Sequence, residues 1–221
     1  MEIRRERSLK LIVENVCKKI KNKIILDNIN FTLESGKIYG FVGENGSGKT
    51  MLFRAVSGLM KIDSGEIYLD DKLLHKDFEI LPNLGIMLEN AGLYPELSGY
   101  DNLKNLMKLR GKVDKERIVE CIKSVGLDPY DKRPIRKYSL GMKQRIVFAQ
   151  AIMENPKILM IDEPTNALDA EGIDIVRNLI LERKKDDAIV MIASHNKEDI
   201  EILADVVYQV EKGQVTFKCG E

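Results

Sequence analysis

The sequence predicts an α/β fold: a parallel sheet, a small antiparallel β layer beside it, and a block of helices inserted between strands. Three observations carry this. Residues 37–42 form a strand-like apolar run that leads through a glycine-rich loop into a helical stretch starting at Thr50. Residues 157–162 and 188–193 are continuous apolar runs too short for helices. Between them Ile173, Val176, Leu179 and Ile180 recur at helical spacing, as the crossover of a parallel strand pair requires. From Ser98 to about Glu154 the periodicity is helical instead, with Leu103, Leu106, Met107 and Leu109, then Ile118, Cys121, Ile122 and Val125, then Ile146, Ala149, Ala151 and Ile152.

Taken in order, residues 9–16 read as a strand, and Ile29, Phe31 and Leu33 alternate with polar residues in a second one. The lysine-rich residues 18–23 between them read as a solvated turn. The helix from Thr50 is expected to stop near Gly58, where a glycine can supply a left-handed cap. Asp63-Ser64-Gly65 turns the chain into an alternating strand over 66–69, Asp70-Asp71-Lys72 makes the next turn, and residues 84–88 form a short apolar strand ending at Glu89. Gly111 and Gly126 mark the ends of the first two inserted helices, and Pro129 and Pro134 the loop before the third. Residues 196–204 read as a helix, followed by a closing hairpin over 206–217 that turns at Glu211-Lys212-Gly213. The whole chain, 1–221, reads as one domain, with 1–91 and 156–221 as its core and 92–155 as a helical subdomain.

Composition bounds what such a fold can do. Lys+Arg and Asp+Glu are both 35, a net charge of 0, so no overall basic field points to nucleic acid. Cys17, Cys121 and Cys219 form no C-x-x-C pair, which argues against a thiolate metal site and a disulfide framework and favours a reduced, cytoplasmic chain. The basic N-terminus is followed by no apolar core of a secretory signal, and no apolar run approaches the roughly 18 residues that span a bilayer. Any membrane is expected to be crossed by another chain.

The chemistry begins at Gly43-Glu44-Asn45-Gly46-Ser47-Gly48-Lys49-Thr50, which fits the phosphate-loop pattern G-x-x-x-x-G-K-[ST]. Its glycines let successive backbone N–H groups turn inward around phosphate oxygens, Lys49 adds a point charge, and the helix that follows presents its positive end. Thr50 is placed to ligate Mg²⁺. A glycine-rich turn without a nucleotide could carry the same eight residues, but the strand before and the helix after argue for the P-loop NTPase reading. Asp162 and Glu163, after four apolar residues, form the Walker B arrangement: Asp162 suits Mg²⁺, and Glu163 suits orienting or deprotonating the attacking water.

At this point the chain resembles the ATP-binding subunits of ABC transporters over nearly its whole length, to His195. Tyr138-Ser139-Leu140-Gly141-Met142-Lys143-Gln144-Arg145 resembles a variant of the family signature L-S-G-G-Q with its basic tail; Ser139 and Gly141 match, while Tyr138, Leu140 and Met142 depart. The resemblance implies that the N–H groups of this stretch face the γ-phosphate bound to an opposite subunit. Asn166-Ala167-Leu168-Asp169 resembles the D-loop, which implies that Asp169 lies near the facing phosphate loop, and His195 matches the switch histidine. A lone histidine is more often structural; its place at a strand end beside the Walker B strand favours a γ-phosphate contact. Glu89 stands where most of the family has glutamine, which implies a third Mg²⁺-side oxygen ligand with Thr50 and Asp162. With the Y-S-L-G-M signature, Glu89 is similar to the bacitracin and lantibiotic exporter branch. Ile20 stands where the family usually stacks an aromatic residue on adenine, so base discrimination is expected to be weak.

The resemblance implies an ATPase using ATP and Mg²⁺, a dimer formed on ATP binding with a second nucleotide-binding subunit, and a separate transmembrane permease through which alone the membrane is met. The expected location is peripheral, at the cytoplasmic face. No appended regulatory domain is expected after His195. Two other readings stay open: a soluble ABC-type ATPase acting on ribosomes or nucleic acid, which would usually carry fused cassettes or long coiled-coil inserts, and a nucleotide-binding regulator without turnover, against which Glu163 and His195 argue.

Overall fold

In the computed structural model, which describes residues 8–88 and 92–220, the chain opens with a long antiparallel hairpin, β1 (Lys10–Ile20) and β2 (Lys23–Glu34). The sequence predicts a turn over 18–23, but pairing holds to Ile20 opposite Lys23. Only Lys21 and Asn22 form the tip, both at positive φ, the handedness that matches the twist of paired strands. β4 (Ser64–Leu69) pairs with β1, and β5 (Lys72–Leu73) with β4, giving a four-stranded antiparallel sheet in the order β2-β1-β4-β5. Lys72, expected in a turn, belongs to β5; two residues are too few to show alternation.

The second sheet has six strands in the order β10-β9-β3-β8-β7-β6. β3 (Lys37–Val42), β6 (Leu84–Met87), β7 (Ile158–Asp162), β8 (Ile189–Ala193) and β9 (Val206–Glu211) run parallel, and β10 (Gln214–Gly220) returns antiparallel to β9. Every residue of β7 and β8 is buried, which is why these strands read as unbroken apolar runs. Their side chains nevertheless sort by alternation. Ile158, Met160, Ile189 and Met191 join the core shared with the antiparallel sheet and α1 (Lys49–Ser57), while Leu159, Ile161, Val190 and Ile192 join the core beneath the helices. The expected α/β architecture, parallel sheet with an antiparallel layer and helical insert, is the one observed.

The insert comprises α2 (Gly99–Leu109), α3 (Lys115–Ser124), a 3₁₀ turn (Ile135–Lys137) and α4 (Leu140–Ile152). Ser98, Asp114 and Ser139 each accept a backbone N–H bond from the first turn of α2, α3 and α4, satisfying donors that a helix start leaves open. Leu109, counted in the apolar stripe of α2, is 84% exposed, so that stripe ends at Met107. α4 seats directly on β6: a Cβ at Gly85 would lie 2.1 Å from the Ala151 carbonyl oxygen. α5 (Ala170–Lys185) is the crossover between β7 and β8, and α6 (Lys197–Leu203) precedes β9.

Register positions the chemistry. Phe41 and Asp162 both pair with Ala193, so β3, β7 and β8 end side by side. The loop after β3, the residues after β7 and those after β8 therefore leave the sheet at one edge, the place where open parallel sheets hold ligands.

Candidate functional site

At that edge the phosphate-loop residues fold back on themselves. A Cβ at Gly43 would lie 2.2 Å from the Val210 carbonyl oxygen, so only glycine lets the loop lie against β9. The Ser47 N–H donates to Glu44 O at 3.1 Å, and Ser47 O accepts from the Gly213 N–H at 3.1 Å. Gly48, at φ 114, turns the chain into α1. Asn45 and Gly46 form the outer part of the loop and line the cleft described below. Lys49 is only 6% exposed, and its Nζ donates to Gly43 O at 2.7 Å and Glu44 O at 3.2 Å. A buried ammonium is thus held inside a ring of backbone. Ser47 Oγ is buried and makes no hydrogen bond among the described residues, an orphaned polar atom of the kind a bound oxyanion would satisfy.

Facing the loop, Thr50 Oγ1 donates to Asp162 Oδ2 at the end of β7. Glu163 adopts a left-handed backbone, φ 54, uncommon for a residue with a side chain. Its N–H still donates to Ala193 O at 2.8 Å, so the kink turns the carboxylate toward the end of β8 without losing the sheet bond. There Glu163 Oε2 lies 2.8 Å from His195 Nδ1 and accepts the His195 backbone N–H at 3.5 Å. The carboxylate is largely buried while the imidazole side chain is 59% exposed. The phosphate loop, Asp162, Glu163 and His195 line one cleft of about 900 Å³, with Asn166, the β9–β10 turn and Lys23, Ile24 and Ile25 of β2 as its other walls.

Ser139, Leu140, Gly141 and Met142 lie outside that lining. Ser139 Oγ accepts the Met142 N–H at 3.1 Å, and Leu140 is 67% exposed at the first turn of α4. A Cβ at Gly141 would sit 3.0 Å from Ala167 O, so the start of α4 lies against residues 166–169. Asp169 caps α5 by accepting the Gly172 N–H at 3.0 Å and pairs with Arg145 of α4. The Gly172 N–H and the Arg145 guanidinium hold its carboxyl below the usual range.

With this geometry in hand, comparison with known proteins is decisive. Residues 26–166 match the ABC transporter family. The chain is 44% identical over 203 residues, 92% of its length and 93% of the other, to an uncharacterized ABC transporter ATP-binding protein, YybJ, of Bacillus subtilis (strain 168). This chain belongs to the ABC transporter ATP-binding proteins. As a member it is an ABC-type ATPase, and subunits of this family generally dimerise and pair with membrane permeases. The cassette is also 36% identical to the lantibiotic transport ATP-binding protein SrtF of Streptococcus pyogenes, covering 94% of this chain and 90% of that one. To the bacitracin transport ATP-binding protein BcrA of Enterococcus faecalis it is 35% identical, over 91% of this chain and 66% of that one. Its fold matches the dimeric ABC transporter cassette MJ0796 with a TM-score of 0.82 at 23% identity, covering 93% of this chain and 96% of that one.

Two expectations of the sequence meet the cassette differently. Glu89 lies outside the described residues. Ile20, expected against the base, ends β1 half-exposed and outside the cleft lining, in which Lys23, Ile24 and Ile25 stand. The strands continue past the anticipated turn, and the wall comes from the return strand.

Sequence reading missed a buried polar cluster just behind the cleft. Asp199 of α6 is 0% exposed; its Oδ1 accepts from Arg177 Nε at 2.8 Å and Nη2 at 2.6 Å, and its Oδ2 accepts the Thr165 hydroxyl. Burial opposes the charge on Arg177, but the carboxylates of Glu198 and Asp199 overcome it and raise its pKa. The only sequence signal was a polar residue on the inner face of a short helix, which has no pattern of its own.

Proposed function

We propose that this cassette binds and hydrolyses MgATP at the edge formed by β3, β7 and β8 and drives export of a peptide antibiotic through a separate permease. The observation that carries the ATPase site is convergence: Lys49, Thr50, Asp162, Glu163 and His195, far apart in sequence, line one cleft. Lys49, already desolvated, exchanges its carbonyl partners for phosphate oxygens. The backbone N–H groups of residues 43–50 and the start of α1 surround the same phosphates. Glu163 accepts the proton of the attacking water, and His195, held by the Glu163 carboxylate, reaches the γ-phosphate from its exposed position.

Thr50 and Asp162 fit Mg²⁺: two oxygen donors in contact, beside the phosphate loop. When bound there, Mg²⁺ supplies charge neutralisation on the phosphates. Glu89, which lies outside the described residues, would be its third side-chain ligand, as the family resemblance implies. Ser139, Leu140, Gly141 and Met142 serve the cleft of a second copy, and Asp169 lies at that junction; their place outside the cleft of their own chain supports this. Residues 92–155 act as the helical subdomain that carries the signature and faces the permease. No helix among the described residues is long and apolar enough to cross a membrane, in keeping with a peripheral subunit at the cytoplasmic face.

The export reading rests on likeness to SrtF and BcrA together with Glu89 and the Y-S-L-G-M signature. Deleting the gene should lower the bacitracin or lantibiotic concentration that stops growth by roughly fourfold or more, a tenfold change being the scale of about 1.4 kcal/mol only for a true binding constant. Unchanged sensitivity to both classes would sink that substrate assignment.

The base is expected to be poorly discriminated. No Phe, Tyr or Trp lines the cleft among the described residues, and Ile24 and Ile25 offer apolar contact without reading the base edge. ATP and GTP dissociation constants should fall within about fivefold of each other in competition binding, because an apolar wall cannot strongly reject a polar variant. A preference above about twentyfold would require polar recognition that these residues do not supply.

A further inference from the structure

The geometry points to Thr165 as a positioning residue that, through Asp199, fixes the Glu163–His195 pair. The inference rests on the reading of Glu163 and His195 as catalytic, and it concerns residues that lie outside the cleft lining. Thr165 lies two residues beyond Glu163, and Asp199 four beyond His195. Thr165 Oγ1 donates to Asp199 Oδ2, which ties the segment leaving β7 to the helix that follows β8. Arg177 of α5 occupies the other carboxylate oxygen with two bonds of 2.8 and 2.6 Å. Thr165 and Arg177 are each 8% exposed and Asp199 is 0% exposed. Burial at this depth makes an unpaired partner costly, so the spacing of the three segments is held by these bonds.

What this spacing controls is visible at the other end of the same two segments. Glu163 is held at φ 54 with its N–H on Ala193 O, and its Oε2 is 2.8 Å from His195 Nδ1. His195 itself is followed by Asn196, whose side chain caps α6 by accepting the Glu198 N–H at 3.0 Å. A shift of α6 relative to residues 163–165 would therefore be passed to His195 through one capped turn. Misplacements of about 1 Å in catalytic groups can cost on the order of 10²-fold in rate, so loss of one tie suffices to be measured.

The test uses the full chain in single-turnover ATP hydrolysis with separate nucleotide-binding measurements. Thr165→Val, which keeps the shape but removes the donor, and Thr165→Ala, which adds no methyl group, should each lower the hydrolysis rate about tenfold while the ATP dissociation constant stays within about twofold. Thr165→Ser should restore the rate. In a His195→Ala background, Thr165→Val or Thr165→Ala should cause no further loss, because the pair on which Thr165 acts is already broken. Rates within twofold of the unmodified chain, or an equal tenfold loss in the His195→Ala background, would overturn the inference. Glu163→Gln and His195→Ala are measured alongside: if neither lowers the rate, the catalytic reading itself has failed, whereas if both do and the Thr165 variants do not, only the positioning role is lost.

Discussion

Glu163→Gln should lower the ATP turnover number by about 10²- to 10³-fold, within the range that a positioned general base contributes, while ATP affinity changes by no more than about threefold. The asymmetry follows from the geometry. Glu163 is held off the phosphate loop: its backbone bonds to Ala193, its carboxylate bonds to His195, and the ammonium of Lys49 is engaged elsewhere, with Gly43 and Glu44. Glutamine preserves the size and the bond to His195 but cannot take up a proton from water. With binding intact and hydrolysis slow, ATP-bound chains should accumulate as dimers that persist for minutes in size-exclusion chromatography, whereas the unmodified chain returns to its apo state. Steady-state kinetics and equilibrium binding measured on the same preparation check this. A parallel loss of affinity and turnover would assign Glu163 to ground-state binding instead.

The second large effect is on stability. Asp199→Ala should destabilise the fold by about 3–5 kcal/mol, because removing one partner of a buried ion pair strands the other. Arg177 would keep only Glu198, at 3.3 Å and on the exposed side, and Thr165 would lose its acceptor. For a chain of this size the loss corresponds to a fall in melting temperature of roughly 10 °C. Differential scanning fluorimetry of apo protein measures it directly, and a fall below about 3 °C would show that Arg177 finds other compensation. The double replacement Arg177→Met with Asp199→Leu tests the same point from the other side. It should recover much of the loss, since a well-packed apolar pair of similar volume can replace a buried ion pair at little cost.

Much of the site was legible because its parts are local. A phosphate loop is defined by glycines and a lysine at fixed offsets, and Asp162-Glu163 by four apolar residues before it; each is a property of a dozen residues or fewer. The strands β7 and β8 were legible for a related reason: burial on both faces leaves an unbroken apolar run in the sequence. Gly58 behaved likewise, since a helix end needs a left-handed residue and the sequence names it.

Features that depend on which distant segments meet were not legible. The turn over 18–23 was misplaced because lysines are equally content in a turn and on the exposed face of a paired strand, and only the pairing of Ile20 with Lys23 decides between them. The observed register puts Ile20 at the end of β1, outside the cleft lining, and Lys23, Ile24 and Ile25 of the return strand within it. Gly85 carried no motif, yet the seat of α4 on β6 depends on its missing side chain. The Thr165–Asp199–Arg177 cluster joins a loop and two helices through side chains that no short pattern links.

By itself, then, the sequence determined the family, the α/β architecture and the identity of the groups that come together in the cleft, because those are written in short-range spacing and in burial periodicity. The tertiary structure alone decided which residues of the β1–β2 hairpin line the cleft, how Glu163 is turned toward His195, and that a buried carboxylate stands behind both. These depend on strand register and on the compensation of buried charge, and both are set only when remote segments come into contact.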